Sequence, residues 1–263
     1  MHVSFADRIA AGRTLATRLE PWRGLPGLLV LALPRGGVPV AREIATALGA
    51  PLDVLVVRKL GVPGAEEVAC GAIAAPDIRV LNEAILTEFD VAPRDVERIA
   101  ARERRELLRR EHLYRRGRPA PEVRGRPVIV VDDGIATGAT VRAALAVLQQ
   151  AGAGHVTVAT PVAARAAYVG LRARAADVVA LHIPKEFTAV GAFYDDFRPV
   201  YDAAVVAALD AAVPDRIRPA VPAHQAGRAA EGSARSEFRS RRRVVIARPP
   251  AGSRGHSVSG RSR

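Results

Sequence analysis

The sequence has few cysteines and aromatic residues, and each shortage narrows what the protein can be. Cys70 is the only cysteine among 263 residues, so the chain forms no internal disulfide and no cysteine-based zinc site. Aromatic residues make up 4% of the chain, so alanine, valine and leucine must fill most of the core. Hydrophobic residues still reach 49%, which indicates a globular protein in which Cys70 is a small core residue.

The sequence also lacks the features of membrane and exported proteins. No uncharged apolar run reaches the roughly 18 residues of a membrane helix, and the first residues do not resemble a signal peptide. No two histidines have a metal-binding spacing such as HxxxH, so we expect no metal site made by the protein alone. We therefore expect a soluble cytoplasmic protein without a membrane partner.

The net charge of +12 is concentrated at the C-terminal end. Residues 214–263 contain 12 arginines and 3 acidic residues, so they carry +9 of the total. Their composition, rich in proline, glycine, serine and arginine, buries too little apolar surface to fold alone. We expect residues 1–213 to form the folded domain and residues 214–263 to be a disordered basic tail. Such a tail either contacts nucleic acid or is a solvated appendage, and we favour the appendage because the tail offers no row of aromatic residues on which bases could stack. We expect no nucleic-acid contact by the rest of the chain.

Strands and helices alternate along residues 1–213. Short apolar runs predict buried strands at 28–33, 52–57, 128–131, 156–159 and 178–181, with shorter strands near 68–73 and 78–81. Amphipathic segments predict a first helix capped by Ser4 and further helices at 38–48, 93–116, 138–150 and 202–212, with another between the last two strands. This alternation predicts an α/β fold, with a mainly parallel twisted sheet and helices on both faces.

One loop combines two acids with a run of mostly small residues. Asp132 and Asp133 directly follow the clearest predicted strand, at the end of the sheet where ligands of open α/β folds bind. A helix begins soon after, so backbone N–H groups and the helix dipole favour an anion such as phosphate. Vicinal hydroxyls suit the two carboxylates. The residues of this predicted anion loop are Gly134, Ile135, Ala136, Thr137, Gly138, Ala139 and Thr140.

This segment resembles the ribose-phosphate motif of type I phosphoribosyltransferases: an apolar strand, two acids, three loose positions, Thr, Gly, any residue and Thr. The resemblance implies the type I fold with a small hood, and 5-phosphoribosyl-1-pyrophosphate as the substrate. Asp132 and Asp133 would hold the ribose hydroxyls, and residues 135–140 the 5′-phosphate. It also implies transfer of phosphoribose to a nitrogenous base, with Mg²⁺ bound mainly through pyrophosphate and ribose oxygens. A homodimer is compatible with it.

Two basic segments fit the same resemblance. Arg35, Gly36 and Gly37 follow the first predicted strand and match the family's pyrophosphate loop, which often contains a cis peptide. Arg58 and Lys59 follow the second predicted strand and would stabilise the leaving pyrophosphate. Without the resemblance, the first segment is equally well a simple turn. For the second segment, a solvated basic pair is the alternative that we favour less. The residues with predicted catalytic roles are Asp132, Asp133, Lys59 and Arg35.

The sequence does not identify the acceptor base. Residues 184–201 are rich in aromatics and, with part of 61–116, are expected to form the hood that stacks the base in this family; packing of a terminal lobe explains the aromatics equally well. Glu66 and Glu67 are weak candidates for a general base. The alternative function is a non-catalytic regulatory or RNA-binding protein that senses phosphoribosyl pyrophosphate, an option that the basic tail keeps open.

Overall fold

The computed structural model describes residues 4–175 and 177–211, and this part of the chain contains eight strands and seven α-helices. The strands are β1 Leu29–Ala32, β2 Leu52–Val54, β3 Val57–Val62, β4 Ala65–Ala74, β5 Ile78–Leu81, β6 Val128–Val131, β7 Val156–Val162 and β8 Asp177–His182. The helices are α1 Arg8–Arg18, α2 Gly37–Leu48, α3 Glu83–Glu88, α4 Pro93–Arg115, α5 Ala139–Gln150, α6 Arg165–Arg172 and α7 Asp202–Ala211. The predicted tail, residues 214–263, lies outside the described residues.

The main sheet consists of five parallel strands in the order β2-β1-β6-β7-β8. At the centre of the sheet, Ala32 of β1 pairs with Val54 of β2 on one side and with Val131 of β6 on the other. Every residue of β1 and β6 is buried, as expected for parallel strands that are covered on both faces. This topology confirms the predicted α/β fold with a mainly parallel sheet.

Successive side chains of these strands point into two different apolar layers. Val30 and Ile129 pack with residues of α1, α2, α4 and α7. Leu31 and Val130 point to the opposite side and pack with residues of α5 and α6. Helices therefore cover both faces of the sheet, as predicted.

Residues 57–81 form a second sheet, which is antiparallel and has the order β3-β4-β5. The prediction of a single strand over residues 52–57 is therefore wrong. β2 ends at Val54, and β3, which contains Arg58 and Lys59, belongs to the second sheet. A continuous apolar run cannot show where the chain leaves one sheet for another, because the linking residues are themselves packed in the core. Leu55 packs against the apolar layer under α5, and Val56 is buried.

The first helix begins at Arg8, and its N-cap is Asp7 rather than Ser4. The carboxylate of Asp7 accepts a hydrogen bond from the N–H of Ala10 (2.7 Å), whereas the Ser4 hydroxyl donates to Asp195 (2.6 Å). Serine and aspartate are both good capping residues, so the local sequence alone does not decide between them. The contact with Asp195 draws Ser4 away from the helix, and Arg8 becomes the first helical residue.

The long helix α4 has nearly its predicted bounds, and Cys70 lies in the core, as predicted. Val96, Ile99 and Leu107 of α4 are buried, as predicted from their spacing. Cys70 is fully buried in the core, and its thiol donates to the carbonyl oxygen of Leu60 (3.2 Å).

Among the described residues, no helix is long and apolar enough to span a membrane.

Candidate functional site

The acidic loop, residues 132–138, connects β6 to α5. Gly138 precedes the helix with φ +74°, a left-handed conformation that glycine adopts without strain. The N–H of Ile135 donates to the carbonyl of Val162 (2.9 Å), so this predicted phosphate ligand is already used inside the protein. The N–H of Ala139 makes a longer bond, 3.3 Å, to the hydroxyl of Thr137. The geometry therefore narrows the predicted phosphate-binding segment to residues 136–140.

A guanidinium group from α5 reaches back over this loop. Nη1 of Arg142 donates to the carbonyl of Thr137 (2.7 Å). The same nitrogen would lie 3.2 Å from a Cβ atom placed on Gly138. The loop itself contains no basic residue, so the anion binding predicted from the sequence depends on backbone amides, the helix dipole and the hydroxyls of Thr137 and Thr140. Arg142 adds a positive charge, and its signal in the sequence is its position one turn after Gly138.

Asp132 and Asp133 lie side by side at the end of β6, where both are partly buried. Oδ1 of Asp132 accepts a hydrogen bond from the N–H of Asp133 (3.0 Å). Burial raises the pKa of Asp132 well above its ordinary value, and the neighbouring carboxylate of Asp133 raises it further. A ligand that donates hydrogen bonds to this pair is therefore favoured, because it stabilises negative charge that the surroundings disfavour.

Arg8, which no sequence motif marks, binds Asp133 of the acidic pair directly. Nε of Arg8 lies 2.7 Å from Oδ2 of Asp133, and the two side chains are 11% and 13% exposed. The guanidinium also lies over the ring of Phe197, 3.8 Å from its centre, and donates to the carbonyl of Arg198 (2.9 Å). Arg8 is 125 residues away from Asp133 in the sequence, and no local pattern marks it.

The aromatic segment of the predicted hood packs beside the acidic loop. Phe193 and Tyr194 are buried, and the Tyr194 hydroxyl donates to the carbonyl of Asp133 (2.5 Å). Burial raises the pKa of Tyr194, and the nearby Asp133 carboxylate raises it further. A Cβ on Gly134 would lie 2.2 Å from Val190, so the loop and this segment approach each other as closely as glycine allows. Phe5, which precedes α1, also packs on this cluster.

The predicted pyrophosphate loop, residues 34–37, lies against the acidic loop. The peptide bond between Pro34 and Arg35 is cis. A Cβ on Gly36 would lie 2.1 Å from Oδ2 of Asp133, and one on Gly37 would lie 2.5 Å from the carbonyl oxygen of Val131. Both positions therefore require glycine, because backbone and carboxylate occupy the space of any side chain. The two glycine-containing loops form a single surface around Asp133.

The side chain of Arg35 points towards α4 and α7. Its Nη1 lies 3.7 Å from Oδ1 of Asp202, the first residue of α7. The same carboxylate oxygen accepts a hydrogen bond from the hydroxyl of Tyr114 (2.6 Å), a fully buried side chain of α4. Burial raises the pKa of Tyr114 to about 12, with Asp202 as the next contributor. Asp202 thus links Arg35 to the buried part of the molecule.

A cavity of about 270 Å³ lies between the predicted pyrophosphate loop, β3 and the start of α5. Pro34, Lys59 and Thr140 all line it, so the three segments that the sequence predicts to bind phosphate groups share one space. Arg58 also lines it and donates through Nε and Nη2 to Glu103 of α4, at 2.8 and 2.5 Å. Glu103 is buried, and no motif in the sequence marks it. The signal that could have identified it is a carboxylate within the apolar stripe of an amphipathic helix.

Only one of the two candidate general bases has a side chain among the described residues. Glu66 lines the same cavity from β4, whereas the side chain of Glu67 lies outside the described residues. Among the described residues, no group of three or more histidine, cysteine, aspartate or glutamate side chains could hold a metal ion.

Comparison with known proteins places this geometry in a family. Residues 22–197 match the model of the phosphoribosyl transferase domain. The chain is 44% identical over 210 residues to two Mycobacterium tuberculosis proteins, each named "Putative phosphoribosyl transferase"; the match covers 79% of this chain but 47% of each relative. The chain thus spans about half the length of these curated relatives.

A solved structure resembles most of this chain. It is the crystal structure of TT1426 from Thermus thermophilus, which is 48% identical. The match covers 79% of this chain and 98% of the other, with a TM-score of 0.73. The extent of the family match, which includes both glycine-containing loops and the acidic pair, shows that this chain belongs to the phosphoribosyl transferase domain family.

Proposed function

We propose that the protein transfers 5-phosphoribose from 5-phosphoribosyl-1-pyrophosphate to a nitrogenous base and releases pyrophosphate. The observation that carries this proposal is the cavity shared by Pro34, Lys59 and Thr140. One ligand that spans it would contact an anion-binding helix start at one end and a basic strand at the other. A ribose with phosphate groups at two positions meets that requirement.

The proposed reaction is displacement at the anomeric carbon. The bond from this carbon to the pyrophosphate oxygen breaks, and its electron pair leaves with pyrophosphate. A nitrogen of the base forms the new bond with its lone pair, and the proton that this nitrogen carried is released to water. Positive charge develops on the ribose ring, and the carboxylates of Asp132 and Asp133 stabilise it. Arg35 and Lys59 stabilise the leaving group. The acceptor nitrogen binds between this surface and the hood, residues 184–201.

The ribose hydroxyls would bind the acidic pair in the presence of Arg8. Oδ2 of Asp133 is bonded to Arg8, but a carboxylate accepts several hydrogen bonds, so the ion pair leaves acceptor capacity for a hydroxyl. The ion pair with Arg8 also holds the Asp133 carboxylate in a fixed orientation before the sugar binds. Mg²⁺ would neutralise the pyrophosphate. The neighbouring carboxylates fit a cation that takes most of its ligands from substrate oxygens.

The proposal is tested by calorimetric titration with phosphoribosyl pyrophosphate, with and without Mg²⁺. We expect Mg²⁺-dependent binding, and we expect Asp133→Asn to weaken it by about tenfold or more, since a neutral amide stabilises the sugar charge less. Asp90→Asn is the matched control: it makes the same chemical change at an exposed position with φ +47°, which asparagine adopts readily. No binding at millimolar donor would refute the proposal.

Catalysis is tested separately by measuring pyrophosphate release with a panel of purines, pyrimidines and their analogues. We expect release to depend on one class of base. Donor binding without release for any base would contradict the enzymatic proposal and favour the alternative of a regulatory, donor-sensing protein.

A further inference from the structure

One side of helix α4 forms a wall of the cavity described above. Arg102, Glu103 and Arg110 of this helix line it, together with Arg58 and Lys59 of β3. Arg102 and Arg110 are eight residues apart, so they lie on the same side of the helix about two turns from each other. In the sequence, the charges of α4 are explained by pairing along its own surface. The structure shows that part of this charged surface encloses the cavity.

The charged side chains around the cavity carry a positive surplus. Four of the lining residues are cations and two are carboxylates; they are Arg58, Lys59, Arg102, Arg110, Glu66 and Glu103. Glu103, which is 9% exposed, binds Arg58 at 2.5 Å and Arg102 at 3.1 Å. One buried carboxylate thus holds two guanidinium groups close together. A cleft with such a surplus attracts anions.

Arg110, the other α4 arginine that lines the cavity, is held by a carboxylate that lies outside the cavity. Nε of Arg110 lies 2.7 Å from Glu106, and the Arg110 side chain is 26% exposed. Glu106 is not part of the cavity lining, so it orients Arg110 without placing a negative charge in the cavity. The arrangement therefore presents the Arg110 guanidinium to a ligand at little cost in side-chain ordering.

We propose that α4 forms part of the pyrophosphate site, with Arg110 as a direct ligand of the leaving group and Arg102 as a second, more exposed one. This inference rests on the proposed function and extends its binding residues to a helix that no motif marks. Pyrophosphate is the favoured occupant because it carries more negative charge than a phosphate monoester. The monoester already has the loop amides, the α5 N-terminus and Arg142.

The test measures the affinity of two probes by calorimetry in excess Mg²⁺: inorganic pyrophosphate and ribose 5-phosphate. We expect Arg110→Gln to weaken pyrophosphate binding about tenfold, which corresponds to about 1.4 kcal/mol, and to change ribose 5-phosphate affinity by less than about twofold. Arg102→Gln should have a smaller effect in the same direction. The matched control is Arg105→Gln, which removes the same charge from an exposed position of α4 away from the cavity, and it should leave both affinities unchanged.

The outcomes separate this inference from the proposed function. Equal pyrophosphate affinity of the wild type and Arg110→Gln would overturn the inference, as would a selective loss of ribose 5-phosphate binding. Arg110→Lys should recover part of the affinity, and a lysine variant no better than the glutamine variant would also overturn it. If no base supports pyrophosphate release but Arg110→Gln still loses pyrophosphate affinity selectively, the proposed function fails and the assignment of α4 stands.

Discussion

Replacing Arg8 tests the ion pair that holds the acidic loop. In Arg8→Met, the aliphatic part of the side chain is kept, while the guanidinium that binds Asp133 at 2.7 Å is lost. Both side chains are almost buried, so the change leaves a poorly solvated carboxylate without its partner, at a cost of about 3 kcal/mol. The lost contact with the Phe197 ring adds about 0.5–1 kcal/mol. For a domain of this size, such a loss lowers the melting temperature by roughly 10 °C.

The assay is a double-mutant cycle of Arg8→Met and Asp133→Asn, followed by chemical denaturation. We expect a coupling free energy of about 2 kcal/mol or more. The control cycle uses Arg13 and Glu43, a pair that also involves α1 and has an N–O distance of 3.0 Å, but in which Arg13 is 72% exposed. An exposed pair should couple by less than about 1 kcal/mol. Equal coupling in the two cycles would refute the argument that burial makes the Arg8 pair strong.

Three further predictions follow from the geometry of the site. Gly36→Ala should weaken donor binding about tenfold or more in calorimetry, since its Cβ would lie 2.1 Å from Asp133, whereas Gly170→Ala, where a Cβ meets nothing within 4 Å, should bind normally. Asp132→Asn should raise the melting temperature at neutral pH, because the pKa of the Asp132 carboxyl is raised by folding and its charge therefore destabilises the folded state. The gain should vanish as the pH falls to about 4, where the carboxyl becomes protonated in the unfolded chain as well. A gain that does not depend on pH would contradict this reasoning. Tyr114→Phe should lower the free energy of unfolding by about 1–2 kcal/mol, measured by denaturation, because it removes the hydrogen bond to Asp202. Folding raises the pKa of Tyr114 from near 10 to about 12, so the wild type loses stability between pH 10 and 12. This loss should be shallower in the Phe variant.

The acidic loop and the parallel sheet could be predicted from the sequence because their signals are local. Residues 128–131 are continuously apolar, which is typical of a strand buried on both faces. Asp132 and Asp133 follow at once, and the small residues after them precede a helix. Each of these features depends on residues fewer than fifteen positions apart, so the chain order itself places them together.

Tertiary structure alone decided which other side chains lie at the acidic loop and around the cavity. Arg8 lies 125 residues from Asp133, and Glu103 lies 45 residues from Arg58, so no local pattern links the partners. The boundary between β2 and β3 likewise falls within one apolar run, and the choice of sheet depends on which strands are available as neighbours. The sequence determined where an anion and a sugar are expected to bind. The packing of α1 and α4 decided which charges surround that position, because ion pairs form between groups that the fold brings within hydrogen-bonding distance.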